Sequence, residues 1–284
     1  SGYSLSAMYS YDLTRDLGHD LSPPNPRFVG YLGKYEDQVT THYPLCTEIG
    51  SDGRIYNAGT TLGRRRDGGG MGWYDPQTGS VDGFWKPQFE NYSVFWTASA
   101  KNGRYILLST IPRNGVNMGK LFCWDTQTHE FIYSIEPPGE ETPGPITKAF
   151  PGLMIGYTKS GGGGLLYGFK VETGEILWEK YVPSEPVTAF SRVRRHAYSF
   201  RRGPDDHIWA FMGNTLTRID PRNIEVKVVG KADPAQIAFA QGNVYIAGGD
   251  SLRQIKGVHT TDDIAPAAPV GLSGKAGSDT VLLH

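Results

Sequence analysis

Arginine clusters are the first chemical signal in this chain. Arg64, Arg65 and Arg66 stand together, Arg113 stands alone, and Arg192, Arg194 and Arg195 crowd a third stretch. A guanidinium presents its N–H donors as a planar fork that matches carboxylate or sulfate oxygens, so the clusters point to an anionic ligand. Near them in sequence lie Tyr92, Lys120, Lys148 and Lys159, and two titratable pairs: His42 with Tyr43, and His196 with Tyr198. Histidine and tyrosine are proton-transfer groups, so such a pair beside a bound anion is a candidate catalytic set. Other chemistries find little support. No CxxC, HExxH or paired-His spacing occurs, so no metal site is expected. Gly161 to Gly164 lack the Lys-Ser/Thr and the helix that a phosphate loop needs, and no cofactor is expected. Cys46 and Cys123 read as small apolar side chains, with a disulfide left open because sequence does not give geometry.

A repeat must position these residues. Residues 54–60 and 71–74 are two short β-prone runs joined by a loop, and the second ends in Asp75-Pro76-Gln77-Thr78-Gly79. The aspartate bonds backbone amides ahead of it, proline presets φ, and glycine accepts a positive φ where the chain reverses. Further copies run through 102–128, 152–174 and 205–221, with a weaker one at 242–255. Asp75, Asp125 and Asp220 mark the period. Each copy follows an apolar run (46–49, 95–99, 146–150, 198–200, 237–240), and an outer strand such as 131–134 or 176–179 follows the Asp turn. A period of about 40–50 residues with four short strands is the signature of a β-propeller blade. The fold expected is therefore all-β: a multi-bladed propeller of four-stranded antiparallel blades, about five blades' worth. Within each blade the strands run A to D outward from the channel, A being the most buried. Trp124, Trp178 and Trp209 are expected between blades.

In that geometry the B–C loops and the D–A connections open on one face around the channel. Arg64, Arg65, Arg66, Arg113, Lys120 and Lys159 fall in the former; His42, Tyr43, Tyr92, Lys148, Arg192, Arg194, Arg195, His196 and Tyr198 fall in the latter. A chain of net charge −1 would thus carry one basic, anion-concentrating face. The same near-neutral charge argues against a nucleic-acid-binding domain, and no apolar run is long enough for a membrane span.

The run Glu172-Thr173-Gly174-Glu175-Ile176-Leu177-Trp178 resembles the repeat of quinoprotein-like propellers, where a threonine-glycine-tryptophan pattern docks adjacent blades. The mixture of His, Tyr and Arg near the channel mouth resembles the layout of propeller polysaccharide lyases. That resemblance implies an arginine that neutralises a uronate, with His42, Tyr43, His196 and Tyr198 taking and returning protons. Pro269-Val270-Gly271-Leu272 and residues 281–284 resemble the opening strands of a fibronectin type III module.

The domain reading is a propeller over 1–258, its first blade incomplete, a linker over 259–268, and a truncated second module over 269–284. The chain reads as a piece of a longer, secreted or periplasmic protein. Three functions stay open. The first is a binding module for an anionic polysaccharide or oligosaccharide, the second a polysaccharide lyase using the same face. The third is a platform for protein partners on the propeller rim.

Overall fold

The computed structural model describes residues 6–258, apart from 19, 33, 36–37, 40–42, 62–67, 114, 140–142, 161–162, 184–199, 213–214, 232–235 and 249–250. Its strands pair as the turns dictate. The N-terminal pair is β1 (Ala7–Ser10) with β2 (Arg27–Tyr31), and a small hairpin follows, β3 (Lys34–Tyr35) with β4 (Gln38–Val39). Blade I is β5 (Tyr43–Ile49), β6 (Ile55–Thr61), β7 (Gly68–Tyr74) and β8 (Val81–Phe84). Blade II is β9 (Tyr92–Ala100), β10 (Tyr105–Pro112), β11 (Leu121–Asp125) and β12 (Glu130–Ile135). Blade III is β13 (Pro143–Phe150), β14 (Leu153–Ser160), β15 (Gly163–Lys170) and β16 (Ile176–Pro183). Blade IV is β17 (Phe200–Arg202), β18 (Ile208–Met212), β19 (Thr215–Asp220) and β20 (Glu225–Lys231). A three-stranded sheet closes the series: β21 (Gln236–Ala240), β22 (Asn243–Gly248) and β23 (Ser251–Ile255). Each sheet is an antiparallel meander in sequence order, and the longest helix among the described residues is one 3-10 turn, Pro87–Phe89. The expected strands that fall on described residues are present, most of them longer by one to three residues; of the expected run 198–200 only Phe200 is described, and it opens β17.

The turns work as the aspartates suggest. Asp75 accepts the amides of Gln77 (2.9 Å) and Thr78 (3.3 Å), Asp125 that of Gln127 (2.8 Å), and Asp220 that of Arg222 (2.9 Å). At Asp75, exposed as it is, those bonds hold the carboxyl below its usual range, the Gln77 amide first. The glycine run also has a packing reason: a side chain at Gly164 would collide with the Tyr157 ring across the β14–β15 pair.

The core lies between blades. Strand alternation sends Ile106 and Leu108 of β10 toward Tyr56, Ala58 and Met71 of blade I, and Tyr105 and Leu107 toward Met154 and Tyr167 of blade III. Blades III and IV meet through Ile155, Leu166, Ile208 and Ala210. Blade IV meets the last sheet through Trp209, Phe211, Val244 and Ile246. Trp124 and Trp209 are buried as expected. Trp178 is only partly so, because it lies flat over Gly168 on an outer strand. A second correction concerns the A strands. β10, β11 and β18 are buried almost throughout, whereas β5 alternates half-buried and exposed positions from Cys46 to Ile49. B and C strands are covered on both faces by neighbouring blades, while A strands line the channel. Hydrophobic stabilisation follows apolar area removed from water, so it concentrates in the B and C strands.

Candidate functional site

Four A strands from four successive blades stand side by side around the channel. Cys46, Thr47 and Glu48 come from β5, Thr97, Ala98 and Ser99 from β9, Ile146, Thr147 and Lys148 from β13, and Phe200 and Arg201 from β17. Together they line one cavity of about 250 Å³. The lining is mostly hydroxyl-bearing and charged. Its position is fixed by the strands: Glu48 and Ser99 each sit one residue before the end of their A strand, and Lys148 two before. The cavity therefore lies in the half of the channel next to the A–B turns.

Neighbouring A strands are cross-tied here. The Thr97 hydroxyl donates to Glu48 Oε1 across the blade I–II boundary at 2.9 Å, and the Cys46 thiol donates to the Phe95 carbonyl at 3.1 Å. Burial pushes the Glu48 carboxyl above its ordinary value of 4.5, although the hydroxyls of Thr97 and Ser99 and the charge of Arg201 pull the other way. Burial likewise pushes the Cys46 thiol up to about 12, so the sulfur is protonated and a poor nucleophile. The described lining thus offers two cations, Lys148 and Arg201, against one carboxyl whose ionised form is disfavoured. Such an arrangement holds anions, and its hydroxyls and carboxyl can also bond a polyhydroxylated ligand.

The residues singled out from sequence fare unevenly. Arg64, Arg65, Arg66, Arg192, Arg194, Arg195, His42, His196 and Tyr198 lie outside the described residues. Tyr43 opens β5, with its side chain likewise undescribed. Tyr92 and Arg113 do come together: Arg113 Nε donates to Ser93 Oγ at 3.0 Å, and its amide to the Asn91 carbonyl at 2.7 Å. Lys120 stands 5.5 Å over the Tyr92 ring. A B–C loop and a D–A connection therefore share a face, as the repeat implies. Lys148 is a correction: it stands on the channel wall toward the A–B turns, not on that loop face, because it falls in the second half of β13. Glu48, Thr97, Ser99 and Arg201 were not singled out from sequence. Their signal is alternation: Cys46-x-Glu48 and Thr97-x-Ser99 place polar groups at every second position of strands whose one face must meet the channel.

The two cysteines are free and sit apart, Cys46 half-buried on the cavity wall in β5 and Cys123 buried in the core in β11; burial pushes the Cys123 thiol up to about 12 as well. Among the described residues no group of three or more metal-ligating side chains converges, and no helix is long and apolar enough to cross a membrane.

Solved propellers share this architecture. The β-propeller domain of Myceliophteria thermophila Cps50 (Swd1) superposes with a TM-score of 0.50 at 13% identity, over 74% of this chain and 64% of that one. The Dos1 propeller superposes at 0.51 and 9% identity, over 73% of this chain and 52% of that one. This chain thus spans about two-thirds or half the length of these neighbours. No family model and no curated protein matches the sequence. At such identities the likeness shows the β-propeller fold and nothing finer. It does not extend to the quinoprotein-like or lyase resemblances, and the fibronectin-like stretch, 269–284, lies outside the described residues.

Proposed function

We propose that this chain is a binding module: a propeller that recognises an anionic ligand in its channel without transforming it. One observation carries the reading. Four blades converge on a polar cavity where, in the described lining, Lys148 and Arg201 face a single carboxyl, Glu48, whose charged form burial disfavours relative to an ordinary glutamate. Two cations that converge on one carboxyl favour an anionic ligand, and a carboxylate matches the planar fork of the Arg201 guanidinium. The hydroxyls of Thr47, Thr97, Ser99 and Thr147 suit a polyhydroxylated partner, so an anionic glycan is the ligand class. An extracytoplasmic setting accompanies that class.

A second reading is a protein-interaction platform. It is favoured by apolar residues exposed on the outer strands, Ile132, Leu177, Tyr181, Val228 and Val229, which are available to a protein surface.

The test is gel retardation of the protein in pectin, alginate, ulvan and a neutral glucan. Retardation by the uronate polymers and not by the glucan supports the glycan reading. Equal mobility in all four overturns it and leaves the platform. New unsaturated ends absorbing in the ultraviolet would overturn the non-catalytic part and point to a lyase.

A further inference from the structure

The cavity holds an acid where an anion is to bind, and that juxtaposition has a consequence for the ligand. We propose that Glu48 is the residue that couples ligand uptake to a proton: an entering carboxylate takes over the cations Lys148 and Arg201, and Glu48 becomes a neutral hydrogen-bonding group. This inference rests on the anion-binding reading of the same cavity.

The geometry supplies each part. Glu48, Lys148 and Arg201 come from three different blades and line one cavity, so no backbone movement is needed to bring a ligand among them. Arg201 is close enough to act electrostatically on both Glu48 and Cys46. Two carboxylates beside the same cations repel each other, and protonation of one relieves the repulsion. Glu48 is the one suited to accept the proton, because burial already disfavours its charged form. The proton comes from solvent, binds the Glu48 carboxylate oxygen, and returns when the ligand leaves. The neutral acid then has one O–H to donate to a ligand oxygen while still accepting from Thr97.

Among the described residues no other facing group mimics this titration. On β5 the Cys46 thiol ionises only near 12. On β6 the sheet partner of Glu48 is Tyr56, whose hydroxyl donates to Asp52 at 2.7 Å and whose pKa is pushed up from the ordinary tyrosine value, burial first. β9 contributes the uncharged hydroxyls of Thr97 and Ser99, and β13 and β17 contribute the cations Lys148 and Arg201.

The experiment is calorimetric titration of trigalacturonate against the full chain from mildly acidic to neutral pH, in buffers of different ionisation enthalpy. Proton linkage predicts affinity that rises as pH falls, by up to about tenfold per pH unit, with net proton uptake on binding. Glu48→Gln should bind more tightly than the parent at neutral pH and lose both the pH slope and the proton uptake. Thr97→Val, which removes a bond to the charged form, should move the slope to higher pH. Binding by the parent with no pH slope, or a slope that survives in Glu48→Gln, overturns this inference and leaves the anion-binding reading standing. No binding of trigalacturonate by any of the three proteins overturns both.

Discussion

The Thr97 hydroxyl of blade II donates to the Glu48 carboxylate of blade I at 2.9 Å, so a functional group on one blade is held by the next. Ring propellers have no covalent link between adjacent inner strands, and bonds of this kind register them.

Glu48 should be a cost to the fold at neutral pH. Its folded-state pKa is raised above the ordinary 4.5, burial being the first cause, so its favourable contribution is complete below pH 4.5 and is lost as pH rises through the folded value. Glu48→Gln should therefore raise the melting temperature at neutral pH, and the gain should vanish below pH 4.5. A melting temperature lowered at neutral pH would mean that the ionised carboxylate is net stabilising, through Arg201.

Trp209 anchors blade IV against the last sheet. It is 3% exposed, and its indole N–H donates to Asp205 at 3.1 Å. Trp209→Ala should cost about 3–5 kcal/mol in denaturant unfolding, from lost burial and the cavity left behind. An unfolding midpoint equal to the parent's would break the blade assignment.

Asp205 has a buried carboxylate that also accepts from Arg218 Nε at 2.6 Å. Asp205→Ala leaves an indole N–H and a guanidinium without their acceptor, for a loss of about 3–5 kcal/mol. Asp205→Asn keeps the shape and one acceptor oxygen, so it should cost less. Equal losses in the two variants would show that charge, not shape, decides.

Gly103 turns the A–B corner of blade II at φ +83°, and a Cβ there would press on the Ile49 carbonyl of blade I. Gly103→Ala should cost at least about 1–2 kcal/mol from the left-handed backbone alone. Unchanged thermal stability would show that this corner can relax.

Much of this architecture was legible in the sequence. The Asp turns fixed the period, and residues such as Asp75 and Asp125 have the backbone bonds that their position between strands implies. What escaped was burial. The A strand β5 looks like core from composition, yet Cys46 to Ile49 alternate half-buried and exposed, and only the assembled blades show that B and C strands such as β10 and β11 are covered twice. The site escaped for a related reason. Charge clusters in loops are visible as runs, whereas Glu48, Thr97, Lys148 and Arg201 are single residues about 50 apart in sequence, brought together by the ring. Lys148 was singled out, but at the wrong end of its strand.

Thiol chemistry offers an independent check on the channel. With both thiols at about 12, only about one part in ten thousand is thiolate at pH 8. Ellman's reagent should react with neither Cys46 nor Cys123 until the protein unfolds. Fast reaction of one thiol in the native protein would place Cys46 in a more open, more electropositive channel.

The central claim is that the anion site lies in the channel cavity and not on the loop face, and one comparison decides it. Trigalacturonate is titrated calorimetrically at fixed pH and two ionic strengths against the parent, Lys148→Ala/Arg201→Ala, and Arg113→Ala/Lys120→Ala. The cavity account predicts binding that weakens as salt rises, is lost in the first double variant, and stays within about threefold of the parent in the second. Retained affinity in Lys148→Ala/Arg201→Ala, with loss in Arg113→Ala/Lys120→Ala, would contradict it and return the site to the loops.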